Sequence, residues 1–358
     1  MTPDAAEQNN LIGMTRPEMV ELLSRRGEPA YRGRQLYHSI YARKILNFEQ
    51  MTDFPRPLRV LLAQNFRLEL PRLHCEQKSK DGTIKLLLEL EDGERIETVF
   101  IPETRRETLC ISSQVGCAVG CTFCATATLG LRRNMTAGEI AGQPLHAQAS
   151  GVIRDQSFNI VLMGMGEPLH NFTQVMRALE ILCDPEGMAI SPRRITVSTS
   201  GVVSGLRKLA RQPIIPNLAI SLNASNDSVR SEIMPINRKW NIEALLQACR
   251  EFPLDSRRRI TFEYVLLAGV NDSLEDARAL AKLLSGMRAK VNLIAWNYNP
   301  ALGYQTPAGQ NVERFQKALE SKGVSAFVRK PRGVDIFAAC GQLALQSVPA
   351  AEPQTTRS

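Results

Sequence analysis

The 358-residue chain has no apolar run long enough to cross a bilayer. Its first residues carry acids at Asp4 and Glu7 and lack the uninterrupted apolar stretch of a secretory signal. A cytoplasmic protein without a membrane partner is therefore expected. Cysteine is sparse: eight in a chain of this length cannot staple a fold together, which excludes the disulfide-dense secreted classes. Tracts rich in proline or glycine are missing, so loose chain is expected only at the ends, over residues 1–10 and from Pro349 to Ser358. Acidic excess is missing as well. The formal net charge is +8, which favours a polyanionic partner, nucleic acid first; plain solubility of a basic enzyme is the competing reading.

Three of the few cysteines are crowded together in Cys117-Ala-Val-Gly-Cys121-Thr-Phe-Cys124. Three thiolates on one tight loop can hold a metal centre but cannot close a four-ligand shell. Structural zinc takes four protein ligands, and here His146 or His170 would have to supply the fourth. An iron-sulfur cube on three cysteines instead leaves one iron free to bind another group. Small buried hydrophobes are the third reading of the triplet.

Around this loop the chain divides into recognisable stretches. Thr15-Arg-Pro-Glu18 carries an N-cap, an early proline and the glutamate of a capping box, so a helix starts there with Met19, Leu22 and Leu23 on one face. A second apolar series runs through Tyr31, Leu36, Tyr37, Ile40 and Tyr41. A third helix begins at Pro57 with Leu58, Leu61 and Leu62 inward. Residues 25–72 hold ten Lys or Arg against four Asp or Glu, which suits phosphate contacts by a small helical module, or simply a solvated face. A β-hairpin is expected from Thr83–Leu90 and Arg95–Ile101 around the Asp92-Gly93 turn. Glu97 lies in its second strand, where the local pattern points the carboxylate to water.

From residue 108 strand-like and helix-like runs alternate. Strands are expected at Thr108–Ser112, Phe158–Met163, Arg194–Ser198, Leu218–Leu222, Ile260–Leu266, Val291–Trp296 and Ala326–Arg329. Helices are expected at Thr136–Gln148, Phe172–Cys183, Val202–Arg211, Ile242–Phe252, Leu274–Met287 and Val312–Lys322. About six βα units in succession imply an α/β fold whose parallel sheet curls into a full or partial barrel. Chemistry then belongs at the carboxyl ends of the strands. The residues emerging there are the cysteine loop, Gly164-Met-Gly166-Glu167-Pro168, Ser198-Thr-Ser200, Ser221-Leu-Asn223 and Asn297. Gly164-x-Gly166 lacks the third glycine of a dinucleotide fingerprint and is no evidence for NAD; close backbone approach to a ligand is the better reason for those glycines.

The C-x3-C-x2-C spacing, with Phe123 before the last cysteine, resembles the signature of the radical S-adenosylmethionine superfamily. Thr108-Leu-Cys-Ile-Ser-Ser-Gln114, Met163-Gly-Met-Gly-Glu-Pro168, Ser198-Thr-Ser-Gly201, Ala219-Ile-Ser-Leu222 and Asp335-Ile-Phe-Ala-Ala-Cys-Gly-Gln-Leu343 are similar, more closely, to the RlmN and Cfr family of RNA adenosine methyltransferases. The likeness runs from about Met14 to Leu343. It implies a partial (βα)6 barrel over residues 104–330, a helical RNA-binding module over 1–72, a β-hairpin extension over 73–103, and a segment over 331–358 carrying Cys340 and a loose tail.

The same resemblance implies a [4Fe-4S] cluster on Cys117, Cys121 and Cys124, and S-adenosylmethionine, two molecules per turnover, held by Gly166, Glu167, Ser198, Ser221, Leu222, Asn223 and Asn297. Cys340 would accept a methyl group at sulfur, Cys110 would resolve a covalent RNA adduct, and Glu97 would exchange a proton. Taken on its own residues, Cys340 reads equally as a small buried side chain in a turn. Cys183 and Cys249 read as packed residues, and Cys75 matches no catalytic position.

Asn223 stands where the family usually has His, and no acid precedes Asp335 where the family often has one. Proline after Glu167 favours the RlmN side of the family, hence 2-methyladenosine in 23S ribosomal RNA, with transfer RNA as a second substrate and an electron donor such as flavodoxin as partner. Methylation at adenine carbon 8 is the Cfr-like alternative. A radical enzyme acting on a small molecule or a protein, and a zinc-stabilised RNA-binding protein without catalysis, are the other classes.

Overall fold

The computed structural model describes residues 9–103, 106–154, 157–255 and 257–345. The expected loose ends at residues 1–8 and from Pro349 to Ser358 lie outside the described residues. Asn9–Asn10, expected to be loose as well, instead pair in parallel with Phe66–Arg67.

The N-terminal module consists of the helices Arg16–Ser24, Ala30–Tyr41 and Arg56–Asn65. Glu18 accepts from both the backbone N–H and the hydroxyl of Thr15 at 2.7 and 2.8 Å, which fixes the first helix start. Met19, Leu23, Leu36, Tyr37, Ile40, Tyr41, Leu58 and Leu62 are buried between the helices. Leu61 and Tyr31 are not: 39% and 46% of their surfaces face solvent. In the third helix the packed stripe is only one residue wide, Leu58 and Leu62 at i and i+4, so Leu61 falls off its edge.

A ten-stranded sheet forms the body of the molecule. From one edge it runs Ala326–Val328, Ala289–Ala295, Ile260–Leu266, Asn217–Ser221, Ile195–Thr199, Asn159–Leu162, Arg106–Cys110, Arg95–Glu103, Ile84–Glu89 and Arg72–Lys78. The first seven in that order are parallel, and the last three join antiparallel through Arg106–Cys110. Among the described residues the two edges do not pair with one another, so the barrel stays open. The hairpin expected from the Asp92-Gly93 turn is present, with a third strand, Arg72–Lys78, added outside it.

The helices that return the chain between parallel strands include Ala137–Ala149, Phe172–Cys183, Val203–Leu209, Ile242–Arg250, Leu274–Leu283 and Gly309–Glu320. Their apolar faces and one face of the sheet form a continuous core, including Leu179, Val197, Leu218, Leu245, Phe262, Tyr264, Leu280 and Phe315. Alternation does the sorting: in Ile260–Leu266 the residues Ile260, Phe262, Tyr264 and Leu266 join this core, while Glu263 and Val265 face the opposite side. Burying side chains of this size contributes about 1.5–3 kcal/mol each. No helix among the described residues is long and apolar enough to cross a membrane.

Two elements near the site were not expected from the sequence. Gln114–Gly116 and Leu131–Asn134 form a short antiparallel pair, and the Cys117 N–H bonded to Gly130 O at 2.9 Å closes the loop between them. Asp227–Ile233 adds a helical turn beside that loop, with Thr122 N bonded to Ile233 O at 3.0 Å.

Candidate active site

The strand ends converge on one cavity. Its walls include Cys117, Cys121 and Cys124, Gly166 and Glu167, Ser198, Ser221, Asn223, Glu263, Arg329 and Cys340. Nine of the thirteen residues singled out in the sequence meet there. A roomier cleft of about 740 Å³ lies elsewhere, between the N-terminal module and the helix Ala137–Ala149; it carries no cysteine, and Glu89 and Glu139 in its walls are paired with arginines.

The cysteine loop sits on a separate apolar cluster of Phe123, Ala224, Ile233, Met234, Leu267 and Trp296. The Trp296 indole donates to Phe123 O at 3.0 Å, tying the loop to the exit of the strand Ala289–Ala295. Burial pushes the Cys117 thiol up to about 12 and the Cys121 and Cys124 thiols up as well, and the Cys117 and Cys121 thiols are raised further by neighbouring sulfurs. Thiols gathered like this with little compensating charge are what a bound cationic centre would reverse. Neither His146 nor His170 lines the cavity, so the histidine that a zinc tetrahedron was expected to need is not there. Among the described residues no three His, Cys, Asp or Glu gather tightly enough for a single ion. The three sulfurs of the loop share the cavity and leave one coordination position unfilled by the loop itself, which suits a cluster with one open iron.

Gly166 has φ +100°, and a Cβ there would stand 2.5 Å from Gln114 Cβ; at Gly164 it would meet Ser112 Oγ at 2.7 Å. The expected reason for these glycines was a ligand's approach. The crowding comes from the protein itself, because the loop packs on residues 111–114. Ser112 Oγ donates to Glu97 O and accepts from Met165 N, and buried Gln143 bonds Ser112 N, Ser112 O and Thr98 Oγ1.

Glu167 accepts from Ser200 N at 2.7 Å, Ser200 Oγ at 2.8 Å and Leu169 N at 3.0 Å, so its carboxylate braces two strand exits. Asn223 is left-handed at φ +56°, a region Asn tolerates better than most residues. Its Oδ1 accepts from Val265 N at 2.8 Å and its Nδ2 approaches Met234 Sδ at 3.2 Å. Leu222 does not line the cavity: its side chain is in the core, and only its backbone serves the rim, with O accepting from Arg230. The fully buried Arg230, which the sequence did not single out, also donates to Ser200 O, Ser221 O and Asn237 Oδ1. It knits two strand exits to one helix, and burial lowers its pKa to about 10.

Cys340 is open to the cavity, not the small buried residue that its turn suggested. The protein around it still raises its thiol pKa, with Arg329 pulling the other way. Its segment is fastened on several sides. Gly341 O accepts from Ala125 N at 2.8 Å, Leu343 O from Thr126 Oγ1 at 2.7 Å, and Tyr298 O from Gln342 Nε2 at 2.9 Å. Upstream, Asp335 accepts from Ser79 Oγ at 2.6 Å. Asn297 lies just outside the cavity and donates to Cys340 O.

Cys110 does not line the cavity; burial pushes its thiol up to about 12, and Cys340 raises it further. The two thiols are thus electrostatic neighbours although 230 residues separate them in the chain. Glu97 faces inward and is 1% exposed, contrary to the hairpin pattern. It pairs with buried Lys85 at 2.9 Å and accepts from Leu345 N at 3.1 Å. Alternation failed here because both faces of this strand are covered, one of them by the returning C-terminal segment. Burial raises the Glu97 pKa, partly offset by Lys85.

An open parallel barrel with three cysteines at its mouth defines a radical S-adenosylmethionine enzyme, and a model of the radical SAM superfamily matches residues 111–284. A model described as the ribosomal RNA large subunit methyltransferase N-terminal domain matches residues 9–68. The chain is 48% identical over 354 residues to a dual-specificity RNA methyltransferase RlmN of Anaeromyxobacter dehalogenans, covering 97% of this chain and 93% of that protein. A protein of the same name from Syntrophobacter fumaroxidans is 46% identical, covering 92% and 96%. A crystal structure of a radical SAM methyltransferase from Sphaerobacter thermophilus superposes with a TM-score of 0.89 at 46% identity, over 94% of this chain and 99% of that one. The chain belongs to the RlmN family of radical S-adenosylmethionine RNA methyltransferases.

Proposed function

We propose that this enzyme methylates carbon 2 of an adenosine in 23S ribosomal RNA, and of an adenosine in transfer RNA, through a methylated Cys340. The observation that carries this reading is the meeting of Cys340 with the three-cysteine loop in one cavity, with the buried Cys110 thiol near enough to feel the charge of Cys340. Carbon 2 of adenine is not nucleophilic, so a simple displacement has no electron pair to use. When bound on Cys117, Cys121 and Cys124, a [4Fe-4S] cluster with S-adenosylmethionine, two molecules per turnover, supplies the methyl group, an electron and a hydrogen-abstracting radical.

The chain's own residues do the rest. The Cys340 sulfur accepts the methyl group, with Arg329 as the cavity's cation to favour its thiolate. Gly166, Glu167, Ser198, Ser221, Asn223 and the backbone of Leu222 hold the cofactor, with Asn297 beside them. Glu97 takes the proton from the adduct carbon of the base as the surplus electron returns to the cofactor. The Cys110 thiolate then bonds to the Cys340 sulfur and breaks its bond to the methylene carbon. That carbon takes up a proton as the new methyl group, and the two sulfurs are left as a disulfide. Residues 1–72 form the RNA-binding module, 73–103 extend the sheet of the 104–330 barrel, and 331–358 bring Cys340. A cytoplasmic location and an electron donor of the flavodoxin type belong to the same reading.

Mass spectrometry of ribosomal and transfer RNA nucleosides from cells with and without the gene tests it. Loss of 2-methyladenosine from both RNAs is expected. Unchanged 2-methyladenosine overturns the assignment, and loss of 8-methyladenosine instead would move it to the other carbon.

A further inference from the structure

Glu263 sits in the middle of the strand Ile260–Leu266, on the face turned to the cavity, and is 5% exposed. Its Oε1 accepts from Asn292 Nδ2 at 2.9 Å. Its Oε2 has no hydrogen-bond partner, although it is buried. Arg329 Nη1 stands 3.9 Å from Oε1, too far for a hydrogen bond, so the two charges attract without saturating each other. Both face Cys340 closely enough to act on its thiol, Arg329 lowering and Glu263 raising its pKa. A buried carboxylate oxygen left without a donor costs free energy unless a ligand supplies one.

The proposed reaction says what that ligand presents. An adenine turned out of its stack is read along its Watson–Crick edge. That edge carries the C2–H, then N1, then the 6-amino group. A base that offers carbon 2 to the Cys340 sulfur therefore brings its amino group to the wall beside that sulfur, where Glu263 and Arg329 stand. A carboxylate accepts from an amino group and repels the carbonyl oxygen that guanine carries at the same position.

We propose that Glu263, held by Asn292 and by the charge of Arg329, accepts a hydrogen bond from the 6-amino group of the target adenine and so selects adenosine over other purines. This rests on the RNA methylation reading above. S-adenosylmethionine also carries amino groups and enters the same cavity, so the test must separate the two sources.

The test uses anaerobic holoenzyme and a short RNA hairpin with adenosine at the target position, beside the same hairpin with purine riboside, which lacks only the amino group. Wild-type enzyme should bind the adenosine hairpin roughly 10- to 100-fold more tightly. Glu263→Leu, which removes the acceptor and keeps the bulk, should bind both hairpins alike, at the weaker level. Equal binding by the wild type, or a preference retained in Glu263→Leu, overturns the proposal. The wild-type arm needs no variant and reads the preference even where the substitution disturbs folding.

Equilibrium dialysis with S-adenosylmethionine supplies the other arm. An affinity within about threefold of wild type supports the assignment, since a loss matching that for RNA, on the order of tenfold or more, would assign Glu263 to the cofactor and overturn it. Methylation of both hairpins at equal rates sinks the Glu263 proposal alone. Methylation of neither sinks the functional reading together with it.

Discussion

Asn297 Nδ2 donates to the carbonyl oxygen of Cys340 at 3.1 Å, so the exit of the strand Ala289–Ala295 holds the backbone of that cysteine. Asn297→Asp replaces this donor with a carboxylate that repels the carbonyl. The Cys340 turn should lose its place against the cavity, slowing its methylation by roughly tenfold, the order expected when a reacting group is misplaced. Mass spectrometry of the protein, followed over time with S-adenosylmethionine, reads the added methyl group. An unchanged rate would show that this bond is dispensable.

Arg230→Met removes a buried cation whose hydrogen bonds gather Ser200, Ser221, Leu222 and Asn237. Four polar groups lose their donor at once. A destabilisation of roughly 3–5 kcal/mol is expected from breaking such a buried network, measured by urea unfolding of the apoprotein. A cost below about 1 kcal/mol, the usual worth of a single hydrogen bond, would mean that water replaces the guanidinium.

Cys110→Ala should leave methyl transfer to Cys340 intact but strand the RNA on the protein, because the thiols left near that sulfur are those of the loop proposed to hold the cluster. A nuclease-sensitive upward shift in a denaturing gel, formed only with reductant and RNA, checks this. Cys340→Ala should show neither adduct nor product. If Cys110→Ala turns over freely, the two-thiol scheme is wrong.

The buried Glu97 carboxyl is held above its ordinary value of 4.5. Below that raised value it carries a proton and cannot take another; above it, the ionised form is ready to act. Product release should therefore fall away on the acid side at a pH higher than an exposed glutamate would give. Glu97→Gln should lower release by roughly 10²-fold, a usual contribution for general base catalysis, and remove that acid limb. Because this variant leaves Lys85 buried beside an uncharged amide, Lys85→Met with Glu97→Gln is the control for folding.

The alternation of strands and helices after residue 108 was legible because each element is long and sharply patterned; Phe172–Cys183 matches its expected bounds, and both capping boxes, at Thr15 and Thr136, are present. Shorter pieces were not. Gln114–Gly116 is three residues long and Leu131–Asn134 four, too few for any period to register. Among site residues, the strand-end glycines and serines announced themselves by position. Arg230, Glu263 and Arg329 gave no local signal, since a charged residue in a strand or a short helix usually faces water. The burial of Arg230 and Glu263 comes from distant segments, and Glu263 could have been suspected only from being the single acid within Ile260–Leu266. Glu97 was misjudged for a similar reason, as its cover arrives from Leu345, 248 positions later.

Cys340 follows Ala326–Val328, the last strand among the described residues, so the sulfur proposed to accept the methyl group comes after every strand of the sheet. A polypeptide that stopped just after Val328 would still encode every strand of the sheet and the three-cysteine loop, but it would lack Cys340 and the carbonyls of Gly341 and Leu343 that hold Ala125 and Thr126. On the proposed scheme such a product could not accept a methyl group, so the last few dozen codons carry the step that separates a catalyst from an inert scaffold.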